Sequence, residues 1–373
     1  MLEVTFHMPR LYTLNDAWAA WLSGEKFPVA IAGDSTVDGF GTDNSIQHLT
    51  AERRDNQDPN AFPRLLEAHL RKATGNSILR IYNAGHTGMY IKWALDNFER
   101  EWGHTSVYAD VKMVGIGYGI NDRLIYSSAK AYRAGFKQDV IEMVERFYEK
   151  GIQPFLLTTQ AVVEPGVHSD FTRFYPLRTG ESVNSIANEV KREIAGSYSL
   201  ELIDVNKYTE LFLQHSSYSL LQLIPDGLHL GNLGHIYEAG LLFAHFCPRT
   251  VWAGGKCQLD FSSQKAVTSV PSDKLTLAYP PTRGFKVFAN YTKHDKQDIK
   301  IMDFWVFNNA KRPLSLTAYK SEVNSLTYVK INGEARTLSS LETNLGLHDL
   351  GLIHLEVYTG DCDKVDFKGF VLE

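Results

Sequence analysis

The chain has 373 residues, 44% hydrophobic and 22% charged, with a formal net charge of −5. That length and composition fit a soluble globular protein of about two domains with a large core. Scattered basic residues under an acidic balance exclude a nucleic-acid partner, no apolar run reaches the roughly 20 residues of a membrane span, and three cysteines without CxxC spacing indicate neither a disulfide framework nor a zinc site.

The opening residues, MLEVTFHMPR, lack the basic-then-apolar pattern of a secretion signal. Residues 16–23, DAWAAWLS, predict a short helix capped by Asn15 or Asp16. FPVAIAG (27–33) reads as a continuous buried strand, and apolar runs follow at 78–85, 111–119, 153–160 and 200–205. Runs with so little alternation predict burial on both faces, as in a parallel sheet. Between them lie segments of helical period. Leu65, Leu66 and Leu70 share one side of 61–71. Phe136, Val140, Ile141, Val144, Phe147 and Tyr148 form a stripe that Gly151 ends. Ile186, Val190 and Ile194 repeat at four-residue spacing, and 235–246 closes the series. Strand and helix in alternation predict an α/β domain over 1–250, a three-layer αβα parallel sheet.

Near residue 250 the character changes. Short aromatic and β-branched runs replace the helical stripes, and Asn332-Gly333 between two of them is a hairpin signal. These predict a smaller all-β sandwich over 260–373, an accessory module for glycan binding or assembly.

The first strand leads into VAIAGDSTVDGFGT, where Gly33-Asp34-Ser35 is followed by further glycines. By itself the stretch fits an ordinary strand-to-loop turn as well as a nucleophile at a strand end. In a parallel sheet, ligands sit outside the carboxyl ends of the strands, and other ends here are also polar. The second leads into NAGHTG with Asn83, Gly85 and Gly88, the third into GYGIND with Gly119, Asn121 and Asp122, and PDGLHLGNLGH supplies Asp226 and His229 before the last helix.

Together these resemble the four motif blocks of the SGNH hydrolases, the GDSL esterase/lipase family: GDS at 33–35, Gly88 five residues after Asn83, GIND at 119–122 and DGLH at 226–229. The resemblance spans about residues 25–245. One departure is Val37, where the family often has threonine. The resemblance implies a flavodoxin-like sheet, a catalytic Ser35, Asp226 and His229, and an oxyanion hole from Ser35, Gly88 and Asn121. The residue types suit those roles. A serine hydroxyl needs a base to take its proton, and a carboxylate three residues before His229 can hold the imidazole in one tautomer. Amides and a neutral Asn side chain can donate to an oxyanion. His69, His86 and His235 read as packing histidines.

DSTVDG lacks the closing glutamate of a calcium loop, and GxxxxGK[ST], a dinucleotide fingerprint and HExxH are all missing. No cofactor and no metal are expected. The expected activity is that of a serine esterase working through an acyl-enzyme and removing O-acetyl groups from a polysaccharide or glycan. Polar segments at 42–60 and 162–182 and the aromatic β-module motivate that substrate. Lipid or teichoic-acid-like (phospho)esters are alternatives, as is a non-catalytic glycan-binding or tail structural protein. The expected setting is extracellular or virion-associated, with an oligomer or larger assembly possible.

Overall fold

The computed structural model describes residues 10–43, 45, 55–160, 183–215, 218–247, 250–253, 257–260, 267–269, 298, 300–308, 313–320, 328–349, 351–358, 360 and 367–372. The chain separates into two compact units, Met1–Glu210 with Ser219–Phe246, and Leu211–Tyr218 with Cys247–Glu373.

The first unit is built on five parallel strands, β1 (Val29–Gly33), β2 (Ile81–Gly85), β3 (Met113–Ile116), β4 (Gln153–Leu157) and β5 (Leu202–Ile203), in the order β2-β1-β3-β4-β5. Every residue of β1, β3 and β4 is buried, so these runs show no alternation. The flanking helices are α1 (Leu14–Leu22), α2 (Ser35–Asp38), α3 (Phe62–Thr74), α4 (Ile91–Asp96), α5 (Phe98–Trp102), α6 (Ala129–Glu149), α7 (Val183–Tyr198), α8 (Val205–His215), α9 (Leu220–Leu223) and α10 (Asn232–Phe246). The last residues of α8 belong to the second unit.

Local chemistry sets the ends of these helices. α1 starts at Leu14, two residues earlier than its apolar pattern suggests, because Thr13 is the cap and Asp16 the reciprocal partner of a capping box; neither Asn15 nor Asp16 is the N-cap. α6 ends at Glu149, and Gly151 follows with a left-handed φ of 72°. One face of the sheet is covered by aromatic and aliphatic side chains including Phe98, Trp102, Tyr108, Phe136 and Phe147, all buried. β2 is an edge strand, and residues 55–67 cover it. Asp55 Oδ1 accepts from the Asn83 amide at 2.7 Å, Asn56 N donates to Asn83 O at 3.1 Å, and Glu67 Oε2 accepts from the Ile81 amide at 2.7 Å.

Among the described residues of the second unit two five-stranded sheets follow. One runs β13 (Glu342–His348), β10 (Leu314–Lys320), β15 (Phe367–Leu372), β7 (Cys257–Asp260), β8 (Val267–Ser269). The other runs β12 (Glu334–Thr337), β11 (Tyr328–Ile331), β14 (Gly351–Tyr358), β9 (Lys300–Asn308), β6 (Thr250–Ala253). All pairings are antiparallel except β6 with β9. Asn332 and Gly333, with φ of 52° and 92°, make the two-residue turn between β11 and β12 that their sequence signals. Val329, Ile331, Ile353, Leu355 and Val357 alternate into a buried face.

Candidate active site

β1 has β2 on one side and β3 on the other, so the chain leaves its carboxyl end at a switch point of the sheet. There Asp34 caps the single turn α2, its Oδ1 accepting from Thr36 N at 3.0 Å and Thr36 Oγ1 at 2.9 Å. Ser35 is therefore the first residue of a helix and not part of an open turn. Gly39, at φ 106°, closes that helix with its amide on Ser35 O.

His229 is brought to Ser35 from the segment before α10. Its Nε2 lies 3.0 Å from Ser35 Oγ, and its Nδ1 lies 2.6 Å from Asp226 Oδ2. Gly227 allows the short span between the two by taking φ 81°. Asp226 Oδ1 also accepts the amides of Leu228 at 2.8 Å and His229 at 2.6 Å. Burial pushes the Asp226 carboxyl up, but the hydrogen bonds from the His229 ring and from the two amides outweigh it and leave it below its usual range. An ionised carboxylate only accepts, so the Nδ1 facing it carries the proton. Nε2 is then left with a lone pair toward Ser35 Oγ. That arrangement can deprotonate the hydroxyl.

Three further contacts hold the histidine segment. The Phe40 ring lies 4.3 Å from the His229 ring, and Gln160 Nε2 donates to Leu228 O at 3.0 Å. Gly41, at φ 102°, lies so close that a Cβ would come within 2.6 Å of Leu230 O and 3.0 Å of His229 Cβ. Sequence patterns gave no sign of Phe40 or Gln160; the GFG spacing after the serine was the available hint for Gly41.

The two glycines after Asn83 are separated by what surrounds them. A Cβ on Gly85 would meet the Asp38 backbone nitrogen at 2.3 Å, and its amide already donates to Asn83 Oδ1 at 3.1 Å. Gly85 packs β2 against α2. Gly88 sits in the following turn with φ 79°, and no other atom approaches the place of a Cβ there. Its amide has no acceptor among the described residues. Asn121 begins a short 3-10 turn, Asn121–Ile125, beyond β3. One hydrogen of its Nδ2 goes to Met89 O at 3.1 Å, leaving the other to donate. Sheet order thus puts Ser35 just past the carboxyl end of β1, with Gly88 beyond its neighbour β2 and Asn121 beyond its neighbour β3.

Behind the serine lies a buried ionic group with no sequence signal. Lys191 Nζ donates to Leu157 O at 2.7 Å, and burial draws the ammonium down to about 8 against the pull of Asp34, Asp122 and Glu238. Burial pushes Asp122 up to about 7 and Glu238 up to about 8, and it raises Asp34 as well. His235 is a core histidine whose Nδ1 accepts the Phe62 amide at 3.1 Å, and burial lowers it to about 3. Among the described residues no group of histidine, cysteine or acidic side chains is disposed to hold a metal, and no helix is long and apolar enough to cross a membrane. Residues 46–54 and 162–182, which include most of the two polar segments expected to rim the site, lie outside the described residues.

The sequence profile described as GDSL-like lipase/acylhydrolase matches residues 31–236. No curated protein matches the chain. Among solved structures, a lipase/acylhydrolase from Enterococcus faecalis is 18% identical over 58% of this chain and 93% of its own, with a TM-score of 0.42. LAE5, an alpha/beta hydrolase enzyme from the metagenome of Lake Arreo, Spain, is 22% identical over 59% and 94%, with a TM-score of 0.45. A two-domain esterase (CEX) active on acetylated mannans is 13% identical over 98% and 96%, with a TM-score of 0.44.

Proposed function

We propose, since the chain belongs to the GDSL-like lipase/acylhydrolase family, that it is a serine esterase whose acyl-enzyme forms on Ser35 and whose substrate is an O-acetylated glycan. The hydrogen-bonded line from Asp226 through His229 to Ser35 carries the reading. Ser35 Oγ attacks the ester carbonyl while His229 Nε2 takes its proton, and Asp226 stabilises the imidazolium. The Ser35 and Gly88 amides and the Asn121 side chain donate to the oxyanion, each worth roughly 3 kcal/mol in the transition state. Collapse expels the alcohol, which receives the proton from His229. Water then attacks the acyl-enzyme with His229 again as base, releasing the acid and restoring Ser35.

The acetyl assignment rests on the sequence of the segments that leave β1 and β4. Residues 42–60 and 162–182 contain no run of leucine, isoleucine or valine that would line a fatty-acyl channel. A glycan is the acyl carrier best suited to polar segments that carry Arg173, Tyr175 and Arg178. The β-unit is assigned to polymer targeting or assembly, because none of the four motif blocks falls in it.

One observation favours a second reading. Leu124 and Ile125, just beyond Asn121, are 64% and 37% exposed, and such residues suit a longer acyl chain. The two readings separate by kcat/KM on acetate, butyrate and octanoate esters of one leaving group. Each well-buried methylene contributes about 0.8 kcal/mol, so a medium-chain esterase gains steeply with length. The acetyl reading requires a fall from acetate to octanoate, together with acetate release from acetylated glycans. A clear rise with length would move the substrate to lipids.

A further inference from the structure

The turn that carries Gly88 is anchored at both ends. At its entry the His86 amide donates to Gly33 O at 2.9 Å, tying the turn to the end of β1 just before the serine. The turn closes with Met89 N on His86 O at 3.1 Å, and the positive φ of Gly88 at its third position gives it the type II pattern. At its exit two consecutive residues from β3's end hold it. Asn121 Nδ2 donates to Met89 O at 3.1 Å, and Asp122 Oδ1 accepts the Ile91 amide at 2.9 Å.

Asn121 is already assigned to the oxyanion in the reading above; Asp122, one of the carboxyls around Lys191, has no part in that reaction. Its carboxyl is fully buried, and its Oδ2 has no hydrogen-bond partner among the described residues. A polar group so buried needs a reason to be there. The Ile91 amide is the first of α4, one of the donors a helix start leaves unsatisfied, and Tyr90 before it offers no side-chain cap.

We propose that Asp122 is a positioning residue for ester hydrolysis, fixing the exit of the His86–Met89 turn through the Ile91 amide so that the Gly88 amide stays aimed at the oxyanion. This rests on the esterase reading of Ser35 and Gly88. The entry is tied to β1, the strand that leads to the serine. The His86 ring lies 3.1 Å from Glu101 Oε2, and Thr87 Oγ1 donates to Asp38 Oδ2 of α2, so the Asp122 anchor fixes the freedom left at the exit. An oxyanion donor acts only if it is in place before the charge develops, and a shift of about 1 Å in such a group can cost about a hundredfold in rate. Burial holds the Asp122 carboxyl up to about 7, so an asparagine, matching the protonated shape, keeps the Oδ1 acceptor.

The test uses p-nitrophenyl acetate as substrate and phenylboronic acid as a probe that forms a tetrahedral adduct on an active serine. Asp122→Ala should lower kcat by about tenfold or more, leave KM within about twofold, and weaken boronate inhibition by a similar factor to kcat. Asp122→Asn should recover most of the loss. A second pair isolates the hydrogen bond if Asp122→Ala does not fold. Ile91→Pro deletes the donor at a first-turn position that tolerates proline, while Ile91→Ala loses side chain but keeps the donor. Ile91→Pro should then fall at least about fivefold below Ile91→Ala in kcat. Asp122→Ala with unchanged kcat, a kcat loss without weaker boronate binding, or equal rates in the Ile91 pair would each overturn the proposal. Ser35→Ala runs alongside: if it keeps the activity, the esterase reading itself fails, whereas a dead Ser35→Ala beside an unaffected Asp122→Ala removes only the positioning role.

Discussion

Asp226→Asn is the substitution whose effect the geometry defines most narrowly. The amide oxygen can keep both backbone bonds that Asp226 Oδ1 accepts, from Leu228 at 2.8 Å and His229 at 2.6 Å, so the segment should hold its shape. The change falls on the other atom. A carboxylate oxygen that only accepts becomes an NH2 group that only donates, 2.6 Å from His229 Nδ1. The imidazole must then leave Nδ1 bare and carry its proton on Nε2, which faces Ser35 Oγ at 3.0 Å. In that tautomer it cannot accept the serine proton. A wrong tautomer of this kind costs about 10⁴ in kcat, equivalent to about 5.5 kcal/mol of barrier. Stability should move little, since one hydrogen bond at a half-exposed carboxylate is worth about 1 kcal/mol, or no more than about 4 °C in Tm. The assay is kcat on p-nitrophenyl acetate at pH 7.5–8 (roughly, above the ordinary imidazole range) beside a melting curve. A folded Asp226→Asn enzyme within about tenfold of the original kcat would refute the assignment of Asp226.

Gly41→Ala would force a side chain into φ 102° with its Cβ 2.6 Å from Leu230 O, so the His229 segment must shift; kcat should fall by about tenfold or more, and unchanged kcat and Tm would contradict the fit. For Glu238 the sign follows from its raised carboxyl, about 8 when folded against 4.5 in the open chain. Between those values the folded protein holds a proton that the unfolded chain has released, so stability falls as pH rises. Glu238→Gln has no such proton, and its gain in Tm should be larger near the top of that window than near the bottom; an equal shift at both ends would contradict the assignment.

Much of this organisation was legible because it is local. Unbroken apolar runs mark strands buried on both faces, Asn332-Gly333 marks its hairpin, and Gly151 marks a helix end. α2 was not legible. Gly-Asp-Ser-Thr reads as a turn, and only the Asp34 cap at one end and the left-handed Gly39 at the other show a helical turn that presents Ser35. Gly88 was readable as a candidate from its spacing after Asn83, but the tight packing of Gly85 comes from the backbone of α2 at Asp38, which no pattern around Asn83 encodes. Lys191 was hidden for the opposite reason. A lysine on a helix normally faces water, and its burial follows from carboxyls supplied by three other segments. Ser35, Asp226 and His229 were readable as candidates because their residue types fit one chemistry, but the 3.0 Å between His229 and Ser35 spans 194 positions of sequence and belongs to the fold.

The central claim is that Ser35 is the nucleophile, and covalent labelling tests it most directly. Diethyl p-nitrophenyl phosphate mimics an ester at the point of attack and leaves a stable diethylphosphoryl group on an activated serine, located by peptide mass. The account predicts a single adduct on the peptide containing Ser35, stoichiometric loss of esterase activity, and no adduct in a folded Ser35→Ala variant whose kcat is lower by about a million-fold. An adduct on another residue, or a Ser35→Ala protein that still hydrolyses p-nitrophenyl acetate at about a tenth of the original rate, would contradict it.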